Sequence, residues 1–155
     1  LSSSGSLVAL QILRKHRLWE SFLHSQLHFS WDEVHEVAEQ LEHIQSQKLI
    51  DRLDEFLGYP EYDPHGDPIP KHNGDVPKSM AQLLNAKIVG DICKIVAVKD
   101  TTTAFLQQLE RFKLKIGSRI TIKEIMPFDK SMVVSNDNGD VFQLSEKIAS
   151  NLLVL

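Results

Sequence analysis

His35, Glu39, Glu42 and His43 fall at offsets of zero, four, seven and eight, the spacing that stacks side chains on one face of an α-helix. Two glutamates one turn apart repel unless they are solvated, paired or bound to a cation, and a neutral imidazole adds the nitrogen that transition-metal sites often contain. The chemistry on offer is capture of a divalent metal; a solvated acidic face is the alternative that this helix alone leaves open. His16 and Glu20 repeat the four-residue spacing upstream, and antiparallel packing of the two helices would bring them beside the first set. Taken alone, that pair is an ordinary exposed side-chain contact. His24 and His28 share the spacing but sit near a helix end, where surface histidines are the usual case.

Catalysis fits these residues less well. His35-Glu36-Val37-Ala38-Glu39 lacks the second histidine of the HExxH metalloprotease signature. A dinuclear oxidase would want two Glu-x-x-His motifs in a four-helix bundle, and the chain does not supply them. The expectation is a binding protein, not an enzyme.

The elements that must position these groups are legible in the periodicity. Leu7, Leu10, Leu13, Leu18, Phe22 and Leu23 predict a first helix from near Ser6 to about Leu27. Ser30, followed by Asp32 and Glu33, predicts an N-cap for a second helix with Val34, Val37, Ala38 and Leu41 as its apolar stripe, ending near Ile44. Ser46 caps a third, carrying Leu49, Ile50, Leu53, Phe56 and Leu57, which Gly58 stops. Pro60, Pro64, Pro68, Pro70 and Pro77, with Gly66 and Gly74, then exclude regular helix and strand.

Beyond this boundary, Lys87 to Val98 reads as strand, Thr102 to Phe112 as a short helix, and Arg119 to Ile125, Ser131 to Ser135 and Asp140 to Leu144 as further strands, with Asn138-Gly139 as a hairpin turn. A last strand in Ile148 to Leu155 would complete a small, partly open barrel of about five strands. The expected fold class is α+β: a three-helix unit with its proline-rich linker over residues 1–75, then a small β-barrel over residues 76–155.

Composition bounds the partners. With 17 Lys and Arg against 21 Asp and Glu, the net charge of −4 argues against a surface built to neutralise phosphates, so no strong nucleic-acid binding is expected of this chain alone. No apolar run approaches the roughly 20 residues of a bilayer span, so no membrane insertion is expected either. A single cysteine, Cys93, forms no internal disulfide and fits a reducing compartment, with the cytoplasm as the default location. The apolar positions of three short helices exceed what one small bundle can bury, which predicts a homodimer with Leu49, Leu53, Phe56 and Leu57 at its interface. Docking of a proline-rich peptide, or of the chain's own Pro60 to Pro70 segment, on the β-rich part is a weaker alternative.

Four separated runs, RKHRLWE (Arg14 to Glu20), WDEVHEVAEQLEH (Trp31 to His43), LIDRLDEFLG (Leu49 to Gly58) and DPHGDPIP (Asp63 to Pro70), appear in an order that resembles the diphtheria-toxin-repressor family. The resemblance covers nearly the whole chain. It implies a dimerisation and metal-binding helical domain followed by an SH3-like, FeoA-like domain, and a function as the metal-sensing part of a manganese- or iron-dependent transcriptional repressor. Family members begin with a winged helix-turn-helix domain, whereas Leu1-Ser2-Ser3-Ser4-Gly5 is similar to the tail of its wing, so DNA contact is expected only through a domain this chain does not include. A truncated regulator and a cytoplasmic metal-binding module fused to a metal-transport permease are both compatible with that.

Carried over by resemblance, Glu39, Glu42 and His43 match the family's primary effector site, completed there from the DNA-binding domain. His16 matches a histidine serving one site or the other. His16, Glu20 and His35 match the ancillary site of iron-responsive members, while Asp63 and His65 match a second site of manganese-responsive members, to which Asp100 would add an oxygen donor. The glutamate and glutamine of the iron-type ancillary site fall on Thr102 and Phe105, so Glu20, Asp63, His65 and Asp100 are the preferred second site. Glu39 stands where iron-responsive members carry cysteine, which makes an all oxygen and nitrogen set suited to Mn(II) first and Fe(II) second; Zn(II) or Co(II) can substitute, because intrinsic affinity rises along the divalent series.

Overall fold

The computed structural model describes residues 3–155, and the chain folds as two compact units, Leu1–Lys78 and Ser79–Leu155. Helices α1 (Ser3–Ser25), α2 (Val34–Leu41) and α3 (Gln47–Phe56) build the first. Its core is the apolar stripe of each: Leu18, Trp19 and Leu23 from α1, Val34 and Ala38 from α2, Ile50 and Leu53 from α3, closed by Ile69 of the proline-rich linker. The four- and three-residue spacings on α2 and α3 put each pair on one face.

The helix boundaries differ from the sequence expectation for local reasons. Ser3, Ser4 and Gly5 are helical, so they form no irregular tail; Leu1 and Ser2 of that run lie outside the described residues. Ser30 does not cap α2. Its hydroxyl donates to Asp32 Oδ1 at 2.6 Å and its N–H to Glu33 Oε2 at 2.9 Å, so residues 31–33 close a turn and the helix begins at Val34. It ends at Leu41 with Glu42 as C-cap. Ser46 caps α3 as expected, accepting from Leu49 N at 3.2 Å, and Gly58 follows with φ of 77°, a conformation that favours glycine.

The second unit is a six-stranded antiparallel sheet of β1 (Gln82–Leu83), β2 (Ile92–Val98), β3 (Arg119–Ile125), β4 (Met132–Asn136), β5 (Val141–Leu144) and β6 (Leu152–Val154), in the order β1-β6-β2-β3-β4-β5. Helices α4 (Thr103–Arg111) and α5 (Glu146–Ala149) complete it. The strand expected from Lys87 begins only at Ile92, because Gly90 adopts φ of 96° and bonds through its N–H to Ile122 O. Two elements are too short for a periodicity to register: the two-residue β1 and the four-residue α5, which occupies the first part of the expected last strand. The turn at Asn138-Gly139 forms, with Asn136 N bonded to Asp140 O at 3.0 Å. Ile95, Leu106, Leu109, Ile120, Ile122, Val134, Leu144 and Val154 pack inside. No helix among the described residues is long and apolar enough to cross a membrane.

Leu18 is fully buried in the helical core. Leu18→Ala is expected to destabilise that unit by about 2–5 kcal/mol through lost transfer energy and the cavity left behind, measured by urea unfolding.

Candidate metal centre

Glu20 lies on the buried face of α1 with its side chain 3% exposed, which places a carboxylate out of water and requires partners for it. The linker brings two groups close to it, one of which, His65, pairs with it. In the run Asp63-Pro64-His65-Gly66-Asp67, Asp63 Oδ1 accepts from both His65 N and Asp67 N at 2.9 Å, and Gly66, at φ of 84°, lets the chain turn tightly enough for its N–H to reach Asp63 O. That turn leaves Asp63 Oδ2 buried and without a hydrogen bond, in the same condition as Glu20 Oε2. His65 completes the group: its Nε2–H donates to Trp31 O at 2.5 Å, so Nδ1 faces Glu20 Oε2 at 3.4 Å. A carbonyl only accepts, which fixes the proton on Nε2.

Glu20, Asp63 and His65 thus each offer a ligand atom within 4.8 Å of the others, and all three are buried. Two buried oxygens that accept no hydrogen bond, with an imidazole nitrogen 3.4 Å from one of them, suit a hard or borderline divalent cation. His16, Glu20 and His35 form an adjoining cluster by the same measure. His16 Nδ1–H donates to Glu42 Oε2 at 2.7 Å, which turns Nε2 to within 3.2 Å of Glu20 Oε1 and 3.1 Å of His35 Nδ1.

The electrostatics follow from burial and pairing. Burial opposes the charge on Glu20, but the imidazoles of His16 and His65 outweigh it and bring the carboxyl down to about 2. Burial, reinforced by the charges of Asp67 and Glu20, pushes Asp63 up to about 7. For His65 burial acts against the proton, yet Glu20 and the Trp31 carbonyl prevail and raise it to about 9. Against the same burial effect, Glu20 and Glu42 raise His16.

The residues singled out in the sequence are distributed unevenly. His16, Glu20, His35, Asp63 and His65 come together in the two clusters, and Glu42 reaches them as the partner of His16. Glu39 and His43 belong to neither cluster. Asp100 lies in the second unit, where its carboxylate accepts from Thr102 N at 2.8 Å and Thr102 Oγ1 at 2.7 Å, bonds that hold it below the usual carboxylate range. Leu53 is buried in the core of its own unit and Leu57 packs against that core, whereas Leu49 and Phe56 are exposed, together with Leu7, Val8, Ile12 and Leu13 of α1. Two contributors had no sequence signal: the Trp31 carbonyl, because backbone atoms carry no residue identity, and Arg17, whose guanidinium donates to Pro68 O at 2.6 Å and ties the linker to α1.

Residues 2–71 match the metal binding and dimerisation domain of iron dependent repressors, and residues 82–155 match the FeoA domain. The chain is 46% identical over 71 residues to a probable metal transport system membrane protein of Chlamydia trachomatis, a match covering 46% of this chain and 16% of that protein. It is 39% identical over 70 residues to the iron-dependent repressor IdeR of Mycobacterium leprae, covering 45% of this chain and 30% of the repressor. Among solved structures, a manganese-dependent transcriptional repressor in complex with manganese superposes with a TM-score of 0.94 at 37% identity, covering all of this chain and 74% of that one.

A three-helix unit with clustered carboxylates and imidazoles, followed by a FeoA-type β unit, is the architecture of the metal-dependent transcriptional regulators. Within that class, the chain belongs to the diphtheria-toxin-repressor family of iron- and manganese-dependent repressors.

The buried cluster makes metal-free stability depend on pH. The raised imidazole of His65 contributes stability that is complete below its ordinary value of 6.5 and is lost as pH rises through about 9. Asp63 acts in the same sense, destabilising the fold as pH climbs from 3.8 through about 7. Glu20 acts oppositely, with stability present above 4.5 and lost toward about 2. The metal-free protein should therefore melt at progressively lower temperature as pH rises from about 6.5 to about 9. Asp63→Asn, which keeps the turn acceptor, should flatten the part of the profile between about 4 and about 7. Thermal melts across this range decide it; a Tm that climbs through the His65 window contradicts the assignment.

Proposed function

We propose that this chain is the metal-sensing and dimerising portion of a manganese- or iron-dependent transcriptional repressor, with Mn(II) the favoured effector and Fe(II) the second. The single observation that carries the reading is the buried trio Glu20, Asp63 and His65, whose ligand atoms lie within 4.8 Å of one another while Glu20 Oε2 and Asp63 Oδ2 accept no hydrogen bond. The donors are oxygen and nitrogen only, a set that suits Mn(II) and Fe(II) without a thiol; Zn(II) or Co(II) would also bind in a purified sample. We assign Glu39, Glu42 and His43 as part of the effector site that the family resemblance implies. Similarity to an iron-dependent repressor and to a manganese-dependent transcriptional repressor favours control of transcription over catalysis.

In this reading Glu20 anchors the centre on α1, Asp63 and His65 bring the linker to it, and Trp31 orients His65 from the turn before α2. A bound divalent ion supplies the positive charge that offsets the two buried carboxylates. Ordering of the linker then becomes linked to metal binding, and the exposed Leu49 and Phe56, continuous in chemistry with the apolar residues of α1, meet a second copy. DNA would be contacted through a domain other than the two described.

A second reading is favoured by the 46% identity of the helical part to the probable metal transport membrane protein: the same module serving as a regulatory extension of a transporter. The metal chemistry is common to both.

Isothermal titration with Mn(II) tests the centre. Asp63→Ala with His65→Ala should remove an ion that the wild type holds, and Glu39→Ala with His43→Ala, which spares the Glu42–His16 bond, should affect a separate uptake step; stoichiometry unchanged in both double variants sinks the proposal. For the dimer, Leu49→Asp with Phe56→Asp should convert a sedimenting dimer into a monomer with its helical content intact.

A further inference from the structure

Glu20 belongs to both clusters, and its two oxygens are divided between them. Oε1 lies 3.2 Å from His16 Nε2, while Oε2 lies 3.4 Å from His65 Nδ1 and 3.9 Å from His35 Nδ1. The clusters differ in depth. The His35 side chain is 57% exposed, whereas those of Glu20 and His65 are 3% and 2% exposed. They differ in charge as well: the outer set has one carboxylate and two imidazoles, the inner set two carboxylates and one imidazole.

We propose that the clusters are two positions of one site: a divalent ion is captured at His16–Glu20–His35 and passes to Glu20–Asp63–His65, so that one ion is held at a time. This inference rests on the reading of the buried cluster as a metal centre. Three features carry it. First, every donor of the inner set is buried, so an ion needs a first ligand that water reaches, and among the described residues His35 is the exposed donor adjoining Glu20. Second, Glu20 serves both positions, so the ion exchanges imidazole ligands without ever losing its carboxylate. Third, the inner position adds the unpartnered Asp63 Oδ2, and a second carboxylate out of water attracts a dication more strongly than the outer imidazoles do. Two dications sharing only Glu20 would repel across a few ångströms of protein with little charge between them. His16 is held for the handover by Glu42, whose bond to Nδ1 keeps Nε2 turned toward Glu20.

Co(II) is a suitable probe, because its visible absorption reports ligand geometry. In a background of Glu39→Ala with His43→Ala, which leaves both clusters intact, the full chain should take up one Co(II). Adding His35→Ala should leave that stoichiometry and the final spectrum unchanged while slowing both association and release several-fold in stopped-flow absorbance. Two Co(II) per chain, falling to one with His35→Ala, would show two independent sites and overturn the relay, as would unchanged association kinetics. Asp63→Asn with His65→Gln, which keeps the acceptor of the turn, should trap the ion at the outer position with an altered spectrum and faster release. If that variant titrates and absorbs like the background protein, the buried metal centre itself is wrong, a failure distinct from that of the relay.

Discussion

Burying Glu20 on α1 takes a negative charge out of water inside a small helical bundle, and much of the first unit can be understood as the response to it. The imidazoles of His16 and His65 approach from opposite sides, one from the same helix and one from the linker, and hold the carboxyl ionised despite its burial. Each imidazole is in turn oriented by an acceptor that leaves no choice of proton position, Glu42 for His16 and the Trp31 carbonyl for His65. The linker is therefore positioned by the same charge that organises the helices, with Arg17 and Ile69 adding a polar and an apolar tie.

This arrangement also separates the apolar framework from the charged cluster within one unit. Leu18, Val34, Ala38 and Ile50 hold the three helices together through apolar contact that does not involve a charge. The cluster around Glu20 contributes little of that kind: Asp63 sits in a site that disfavours its ionised form, and two oxygens lack donors. A fold that tolerates such a poorly satisfied interior has its rigidity elsewhere, and the unsatisfied groups are where a ligand has the largest effect.

How much of this was legible in the sequence depended on whether a feature has a local period. The stripes Val34, Ala38 and Ile50, Leu53 follow from helical spacing, the start of α3 at Ser46 and its stop at Gly58 follow from residue type, and β3 coincides with its expected range. The start of α2 was not legible, because Ser30 has the residue type of a cap but its hydroxyl meets the nearer Asp32. The four-residue pair His16 and Glu20 was visible, yet its meeting with His65 depends on a turn far along the chain that no periodicity encodes. Burial of Leu53 against its own unit, where spacing alone suggested an exposed interface, reflects the same limit: a helix has one apolar stripe in sequence, and only packing decides which part of it faces inward.

The turn at Asp63 has one more consequence. Because Oδ1 is committed to two backbone N–H groups, the carboxylate has only Oδ2 to give and its denticity is fixed at one. In the proposed centre, a cation that needs six to eight oxygens, often with bidentate carboxylates, as calcium does, would find one carboxylate limited to a single oxygen and an imidazole where it prefers oxygen. There, the same two backbone hydrogen bonds that shape this buried turn would thus disfavour large hard cations before any discrimination among the transition metals begins.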